Sequence, residues 1–385
     1  MIPYGKQFID DTDIEEVIKV LKSDFITQGP KIKQFEENLA EYCGTKFALI
    51  FNSGTSALHA AYFAAGLSKG DEFITSPNTF VATANAGLYL GAKPVFVDIE
   101  HDTGNIDVNL IEEKITEKTK LIVPVHYAGH PCDMKKIKTI ADKYGLKIVE
   151  DACHALGARY KVQGSMFKVG SCKFSNMTVF SFHPVKHITT GEGGAVLTNN
   201  EEYYEKLKMF RNHGITKDPE KFISLPTPQW YYEMHFLGHN YRMTDIQAAL
   251  GISQLKKLDY FIEQRRKIAD KYNEKFENNP YFETPEEKDY AFYSYHLYPI
   301  KLKSPFHKKK KELFKKLRKN GIGVQVHYIP VYWQLFYQNL GFKKGICPNA
   351  EKFYEKVISL PIFPSLTDNE LSYVIEKILE VFQKL

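Results

Sequence analysis

The stretch KFALIFNSGTSALHAAYFAAG, residues 46–66, reads as an apolar strand that turns directly into a helix. Lys46–Phe51 is short and apolar. The run Ser53, Gly54, Thr55, Ser56 supplies a helix start, and alanines carry the helix to Gly66. The same alternation recurs on both sides of the next hundred residues. DEFITS (71–76) precedes a helical VATANAGLYLG (81–91), and PVFVDI (94–99) follows as a strand. KLIVPVH (120–126) precedes the helical CDMKKIKTIADKYG (132–145), which ends at Gly145. KIVED (147–151), MTVFSFH (177–183) and GAVLTN (194–199) read as further strands. Strands alternating with helices predict an α/β domain with a mostly parallel central sheet flanked by helices. In such sheets ligands bind at the carboxyl ends of the strands.

From Met243 the pattern becomes one long helix, DIQAALGISQLKKLDYFIEQRRKIADKYNEKF, closed by Asn278, Asn279 and Pro280. Beyond it, HLYPIKL and GVQVHYIP read as strands among two or three helices, a smaller α+β domain. The boundaries expected are 1–250 for the large domain and 251–385 for the smaller one, entered by the long helix.

With 385 residues, 43% hydrophobic and 25% charged, the chain has the composition of an ordered globular protein. A net charge of +5 over this length argues for neither nucleic acid nor membrane as a partner. The basic run HKKKKELFKKLRKNG (307–321) reads first as an amphipathic helix. Leu313, Phe314 and Leu317 face inward and Gly321 closes it; the other reading is a patch for an anionic ligand. Cys43, Cys132, Cys153, Cys172 and Cys347 are odd in number and irregular in spacing, so neither a disulfide framework nor a metal site is expected. MIPYGKQFIDD lacks the features of a signal peptide and no apolar run is long enough to span a bilayer. The expected location is the cytoplasm.

Three features carry chemistry. Ser53, Gly54 and Thr55 open a helix after a strand, where free N–H groups and the helix dipole suit a phosphate; an ordinary N-cap looks similar. Asp151 ends an apolar strand, with His154 three residues on. A carboxylate there needs a cation, so a buried salt bridge with a satisfied histidine is the competing account. Lys186 lies in SFHPVKHITTGEGG (181–194), after a strand that holds Ser181 and before a glycine-rich turn. Desolvation there lowers an amine's pKa and leaves it nucleophilic toward a carbonyl. A phosphate cradle, a buried carboxylate and a nucleophilic lysine on one sheet edge suit pyridoxal 5'-phosphate.

The segments FITQGPKIKQFEENLAEYCGTKFALIFNSGTSALHAAY, PNTFVATANA, VEDACHALGA, SFHPVKHITTGEGGAVLTN and GHNYRMTDIQAALG, in this order, resemble the DegT family. These are fold-type I, pyridoxal phosphate-dependent sugar-nucleotide aminotransferases, and the likeness covers nearly the whole chain. It implies that Lys186 is the Schiff-base lysine and proton carrier, and that Asp151 pairs with the ring nitrogen. His154 would approach the ring's phenolic oxygen and Phe80 would stack on the ring; core packing is the bland account of Phe80. Ser53, Gly54, Thr55 and Ser181 would hold the phosphate. Asn240 would reach it from a second subunit, implying a homodimer with shared sites.

The family's substrate contacts correspond to Tyr4, Asp24, Phe25, Ile26, Thr27, Gln325, Val326, His327 and Tyr328. The N-terminal residues 1–30 would thus contribute to the substrate site. His183 and His187 would serve substrate or structure. TPQWYYEMHF (227–236) would line the cleft mouth or cover a dimer interface. SFHPVKHITTGEGGAV and GVQVHYIPVY look most like the branch acting in pseudaminic acid synthesis. Its substrates are a UDP-linked 4-keto-6-deoxy amino sugar and L-glutamate. Other keto nucleotide sugars are the alternative. A dehydratase with histidine at the lysine position, or a regulator on the same fold, fits less well, because Lys186, Asp151 and the cradle are all present.

Overall fold

The computed structural model describes residues 1–224 and 228–385. A seven-stranded sheet forms its centre, in the spatial order Phe47–Phe51, Gly194–Thr198, Met177–Ser181, Lys147–Asp151, Thr119–Val123, Glu72–Thr75, Lys93–Phe96. All its pairings are parallel except those of Gly194–Thr198, which runs against both neighbours. The mostly parallel sheet read from the sequence is what the chain forms.

Alternate residues of these strands enter two cores, as the pleat dictates. Ile50, Ile122, Ile148 and Phe180 pack on one face, against the helices Pro30–Cys43, Met134–Tyr144 and Asp245–Lys256. Leu49, Val123, Val149 and Val179 pack on the other, against Gly54–Ala64 and Glu201–Phe210. A third core gathers residues from 268 onward around the small sheet Phe282–Glu283, Tyr298–Leu302, Val357–Leu360, together with Ala84, Phe96, Ile99, Tyr127 and Ala128.

Two readings are corrected by the structure. The long helix from Met243 is two helices, Asp245–Lys256 and Leu258–Lys275, broken at Lys257. The Lys257 ammonium is held by Asp10 and Asp13 of the N-terminal helix start, at 2.9 and 2.6 Å. GVQVHYIP (323–330) forms no strand; Gln325 makes an isolated bridge to Ser359, Ile322 just before it one to Ile2, and the segment then follows the cleft wall. Arg159–Val162, Ser165–Lys168 and Ala291–Phe292 form a three-stranded sheet that the sequence reading did not foresee. The basic run behaves as an amphipathic helix, Lys310–Lys319, with Leu313 and Leu317 buried and Gly321 left-handed just beyond it.

Candidate active site

A cleft of about 670 Å³ opens at the carboxyl edge of the sheet. Ser53, Gly54, Thr55, Phe80, Asp151, His154, Ser181, His183 and Lys186 line it from the sheet side, and Tyr4, Gln325, Val326, His327 and Tyr328 from the other.

The cradle is built by register. Gly194 pairs with Phe51 on one side and with Ser181 on the other. A Cβ on Gly194 would come within 2.5 Å of the Ser53 carbonyl, and one on Gly54 within 2.9 Å of the Ser181 Cβ. Only glycine at both positions lets the Ser53–Thr55 turn close on Ser181. The Ser53 hydroxyl caps its own helix by accepting from the Ser56 N–H at 3.1 Å. The Gly54 and Thr55 N–H groups remain without an acceptor among the described residues.

Asp151 is buried at 4% exposure. Its Oδ2 accepts from the Thr83 hydroxyl at 2.6 Å, and its Oδ1 from the Cys153 N–H at 3.2 Å. Among the described residues it has no ion-pair partner, so the internal salt bridge considered above is not made. A buried carboxylate held by two neutral donors suits a cation arriving from the cleft.

Lys186 is half-buried, in the loop between the Ser181 strand and Gly194, its N–H donating to the His183 carbonyl at 2.8 Å. Burial holds its amine below the ordinary lysine value, with Cys153 and Asp151 acting in the opposite direction. The His154 and Tyr328 rings are 24° from parallel with centroids 5.9 Å apart, and their Nε2 and Oη meet at 3.0 Å. Burial, then Lys186, keeps its pKa well below the usual imidazole value, so it is neutral. Its Nδ1 has no protein partner among the described residues. Phe80 is 59% exposed, which excludes core packing; its ring is 6.5 Å from that of Tyr328. His327 is fixed by Ser359 (2.8 Å), and its pKa is lowered to about 3 by burial and by Lys186.

Other candidates lie elsewhere. Asp24, Phe25, Ile26 and Thr27 are exposed and line no part of this chain's cleft. Asn240 is exposed too; its carbonyl accepts from the Asn52 amide at 3.4 Å. Tyr232 and Trp230 are exposed outside the cleft, and Thr227, the first residue of that aromatic segment, lies outside the described residues. His187 is buried against the Ser294 carbonyl at 3.1 Å, a core position. The sequence reading missed Thr83, Cys153, Glu192 and Gln334, all on the cleft. Cys153 was signalled by its place two residues after Asp151. Nothing in the sequence links Thr83 to Asp151.

The residues fit the phosphate, ring and aldehyde of pyridoxal 5'-phosphate: free amides beside Ser181, a buried unpaired carboxylate, and an amine of lowered basicity. Fold and site together define a pyridoxal phosphate-dependent aminotransferase. The chain belongs to the DegT/DnrJ/EryC1/StrS aminotransferase family, which it matches over residues 7–379. It is 47% identical over 382 residues to an uncharacterized protein of Methanocaldococcus jannaschii, covering 99% of this chain and 97% of that one. It is 43% identical over 388 residues to UDP-4-amino-4,6-dideoxy-N-acetyl-β-L-altrosamine transaminase of Campylobacter jejuni subsp. jejuni, covering 100% and 98%. The solved structure of Helicobacter pylori PseC, an aminotransferase involved in the biosynthesis of pseudoaminic acid, superposes with a TM-score of 0.92. It is 40% identical, with both chains covered in full. No described helix is long and apolar enough to cross a membrane.

Proposed function

We propose that this enzyme transfers an amino group from L-glutamate to C4 of UDP-2-acetamido-2,6-dideoxy-β-L-arabino-hexos-4-ulose. The product is UDP-4-amino-4,6-dideoxy-N-acetyl-β-L-altrosamine, an intermediate of pseudaminic acid synthesis. The observation that carries the substrate is the 43% identity, over the full chain, to the Campylobacter transaminase.

When bound, pyridoxal phosphate supplies an electron sink and an amino carrier. Gly54 and Thr55, with the Ser53 and Ser181 hydroxyls, bind its phosphate. Asp151, steadied by Thr83, would hold the proton on the ring nitrogen. Phe80 would cover the ring, and neutral His154 would approach its phenolic oxygen. The Lys186 amine takes a proton from the donor's α-carbon and later delivers one to C4 of the sugar. Its lowered pKa keeps a larger share of it in the base form. Tyr4, Gln325, Val326, His327 and Tyr328 meet the sugar and its acetamido group, and His183 stands at the opening.

We place the enzyme in the cytoplasm as a homodimer. In that dimer Asn240 and Asp24–Thr27 of each chain serve the cleft of the other, a reading supported by their exposure away from their own cleft. The test is an absorbance experiment in two steps. The protein is loaded with cofactor, converted with L-glutamate and freed of excess donor. Keto nucleotide sugars are then added singly. Fast return of the starting spectrum with the UDP-linked 4-keto-6-deoxy-L-arabino sugar supports the assignment. A preference for a GDP-, dTDP- or 3-keto sugar overturns the substrate.

A further inference from the structure

Glu150 directly precedes Asp151 on the strand Lys147–Asp151, so its side chain leaves the sheet on the opposite face. It is fully buried, lines no part of the cleft, and no step of the reaction uses it. A carboxylate in such a place is costly unless donors fill its lone pairs. Four donors do so. Oε2 accepts from His126 Nε2 at 2.7 Å and from the Tyr160 hydroxyl, and Oε1 accepts from the Thr178 hydroxyl at 2.9 Å and from the Ser175 hydroxyl. Burial acts to raise the Glu150 pKa, and the donors, His126 foremost, hold it below the ordinary carboxylate value. The other titratable groups around it, Tyr160, Cys132 and Cys172, are pushed up by burial and stay protonated. Among the described residues its one basic partner is His126.

His126 is buried as completely. Its Nδ1 accepts from the Cys132 N–H at 3.1 Å. A main-chain amide can only donate, so the ring proton lies on Nε2 and points at Glu150. The main-chain N–H of the same residue donates to the Asp151 carbonyl at 3.1 Å, and the Asp151 N–H donates to the Pro124 carbonyl at 2.9 Å. The ladder between these two strands ends at Ile122 and Ile148; beyond it Val125 and Asp151 make an isolated bridge. On this side Asp151 is therefore held by residues 124–126, which belong to no strand. Within that segment His126 touches both neighbours, Glu150 through its ring and Asp151 through its main chain.

We propose that His126 and Glu150 are positioning residues for Asp151: the imidazole, anchored on the buried carboxylate, fixes the N–H that holds the Asp151 main chain, and with it the place of the Asp151 carboxylate in the cleft. Thr83 and Cys153 hold the carboxylate itself. His126 and Glu150 hold the backbone that carries it, from the far face of the sheet. Neither lines the cleft, so both act through Asp151. The inference rests on the reading of Asp151 as the partner of the ring nitrogen and not on the choice of sugar.

The test uses the full-length protein and pyridoxal 5'-phosphate as the probe. His126→Asn keeps an acceptor for the Cys132 N–H but is too short to reach Glu150, whereas His126→Gln puts an amide donor where Nε2 stood. The readouts are the affinity of the cofactor-free protein for pyridoxal phosphate, the pH midpoint of its capture by Lys186, and the melting temperature. Asp151 acts to raise the Lys186 pKa. His126→Asn should therefore move the midpoint to lower pH, in the direction of Asp151→Asn and less far. It should also weaken cofactor binding by about tenfold, the factor that one hydrogen bond to a charged group supplies. His126→Gln should restore both. In an Asp151→Asn background His126→Asn should move neither any further, because effects that run through one residue do not add. Leu39→Ala, a truncation in the core on the Glu150 face of the sheet, should lower the melting temperature alone. Wild-type midpoint and affinity in His126→Asn overturn the inference. So does an equal shift in Leu39→Ala, a full further shift in the Asp151→Asn background, or a His126→Gln protein no better than His126→Asn. An Asp151→Asn enzyme that captures the cofactor as the wild type does removes Asp151 from the site, and the inference with it; a normal Asp151→Asn effect with none from His126→Asn strikes the inference alone. Where His126→Asn fails to fold, nitrogen NMR of ring-labelled histidine in the wild type decides: a slowly exchanging proton on His126 Nε2 supports the anchor, and a proton on Nδ1 overturns it.

Discussion

The Thr83 hydroxyl donates to Asp151 Oδ2 at 2.6 Å across 68 residues of sequence. Thr83 lies on the helix Ala82–Leu88, directly after the Phe80 turn, and Asp151 ends a central strand. One hydrogen bond therefore ties the start of the helix that follows Phe80 to the carboxylate at the end of the strand.

A Thr83→Val substitution keeps the shape and removes that donor. Hydrogen bonds to charged groups contribute roughly 1.5–3 kcal/mol. Turnover should fall about tenfold or more while the thermal midpoint moves little. Steady-state rates and a melting curve on the same preparation check this; unchanged kcat would show that Asp151 needs no such support.

Lys186→Ala removes the only lysine amine that the described residues place on the cleft wall. Turnover should drop by a factor on the order of 10²–10⁴ or more, the range for a lost proton-transfer group. The cofactor should still bind through its phosphate, but without the visible absorption of the lysine-linked form. Dialysis followed by cofactor quantification separates the two effects. Transamination at the wild-type rate would remove Lys186 from the mechanism.

Gly54→Ala places a methyl group 2.9 Å from the Ser181 Cβ. The cradle must open to admit it, so cofactor affinity should weaken by about tenfold, with a smaller loss of stability. Equilibrium titration of the apoenzyme with pyridoxal phosphate measures this. Ser181→Ala, which removes one hydroxyl and crowds nothing, should cost less.

The pH dependence of cofactor capture has a definite sign. Burial lowers the Lys186 pKa, so the amine is free to react at lower pH than an exposed lysine, and capture should rise with pH to a midpoint below 10.5. Asp151 acts to raise that pKa. An Asp151→Asn enzyme should therefore show its midpoint at still lower pH, while turning over more slowly because the ring nitrogen is less readily protonated. Stopped-flow capture rates across the pH range test both directions.

Much of the fold was legible because short apolar strands followed by capped helices leave a local pattern. The cradle, Asp151 and Lys186 were legible for the same reason: each lies at or within a few residues of a strand's carboxyl end. Thr83 was not, because its partner is 68 residues away and the pairing exists only in three dimensions. The break at Lys257 was hidden because helical periodicity continues through it; what marks it is contact with Asp10 and Asp13, far off in sequence. GVQVHYIP alternates like a strand, yet Val324 and His327 are buried while its backbone forms single bridges only. Asn240 and Asp24–Thr27 carry family resemblance but no local chemistry, and a single chain leaves them outside the cleft.

The Ser181–Gly194 pairing also bears on how the chain can change. The twelve residues that carry Lys186, 182–193, leave the sheet and return to it at a single rung of one ladder. Their ends are pinned by main-chain pairing, which does not depend on the side chains within the loop. Loop-closure entropy grows slowly with length, so residues can be gained or exchanged at the glycine turn without shifting the phosphate cradle across the sheet. The lysine's station is thus tied to the frame at both ends of its loop, while Phe182, His187 and Ile188 anchor the loop in the core. A lineage could revise its surroundings while the frame for the cofactor stays in place.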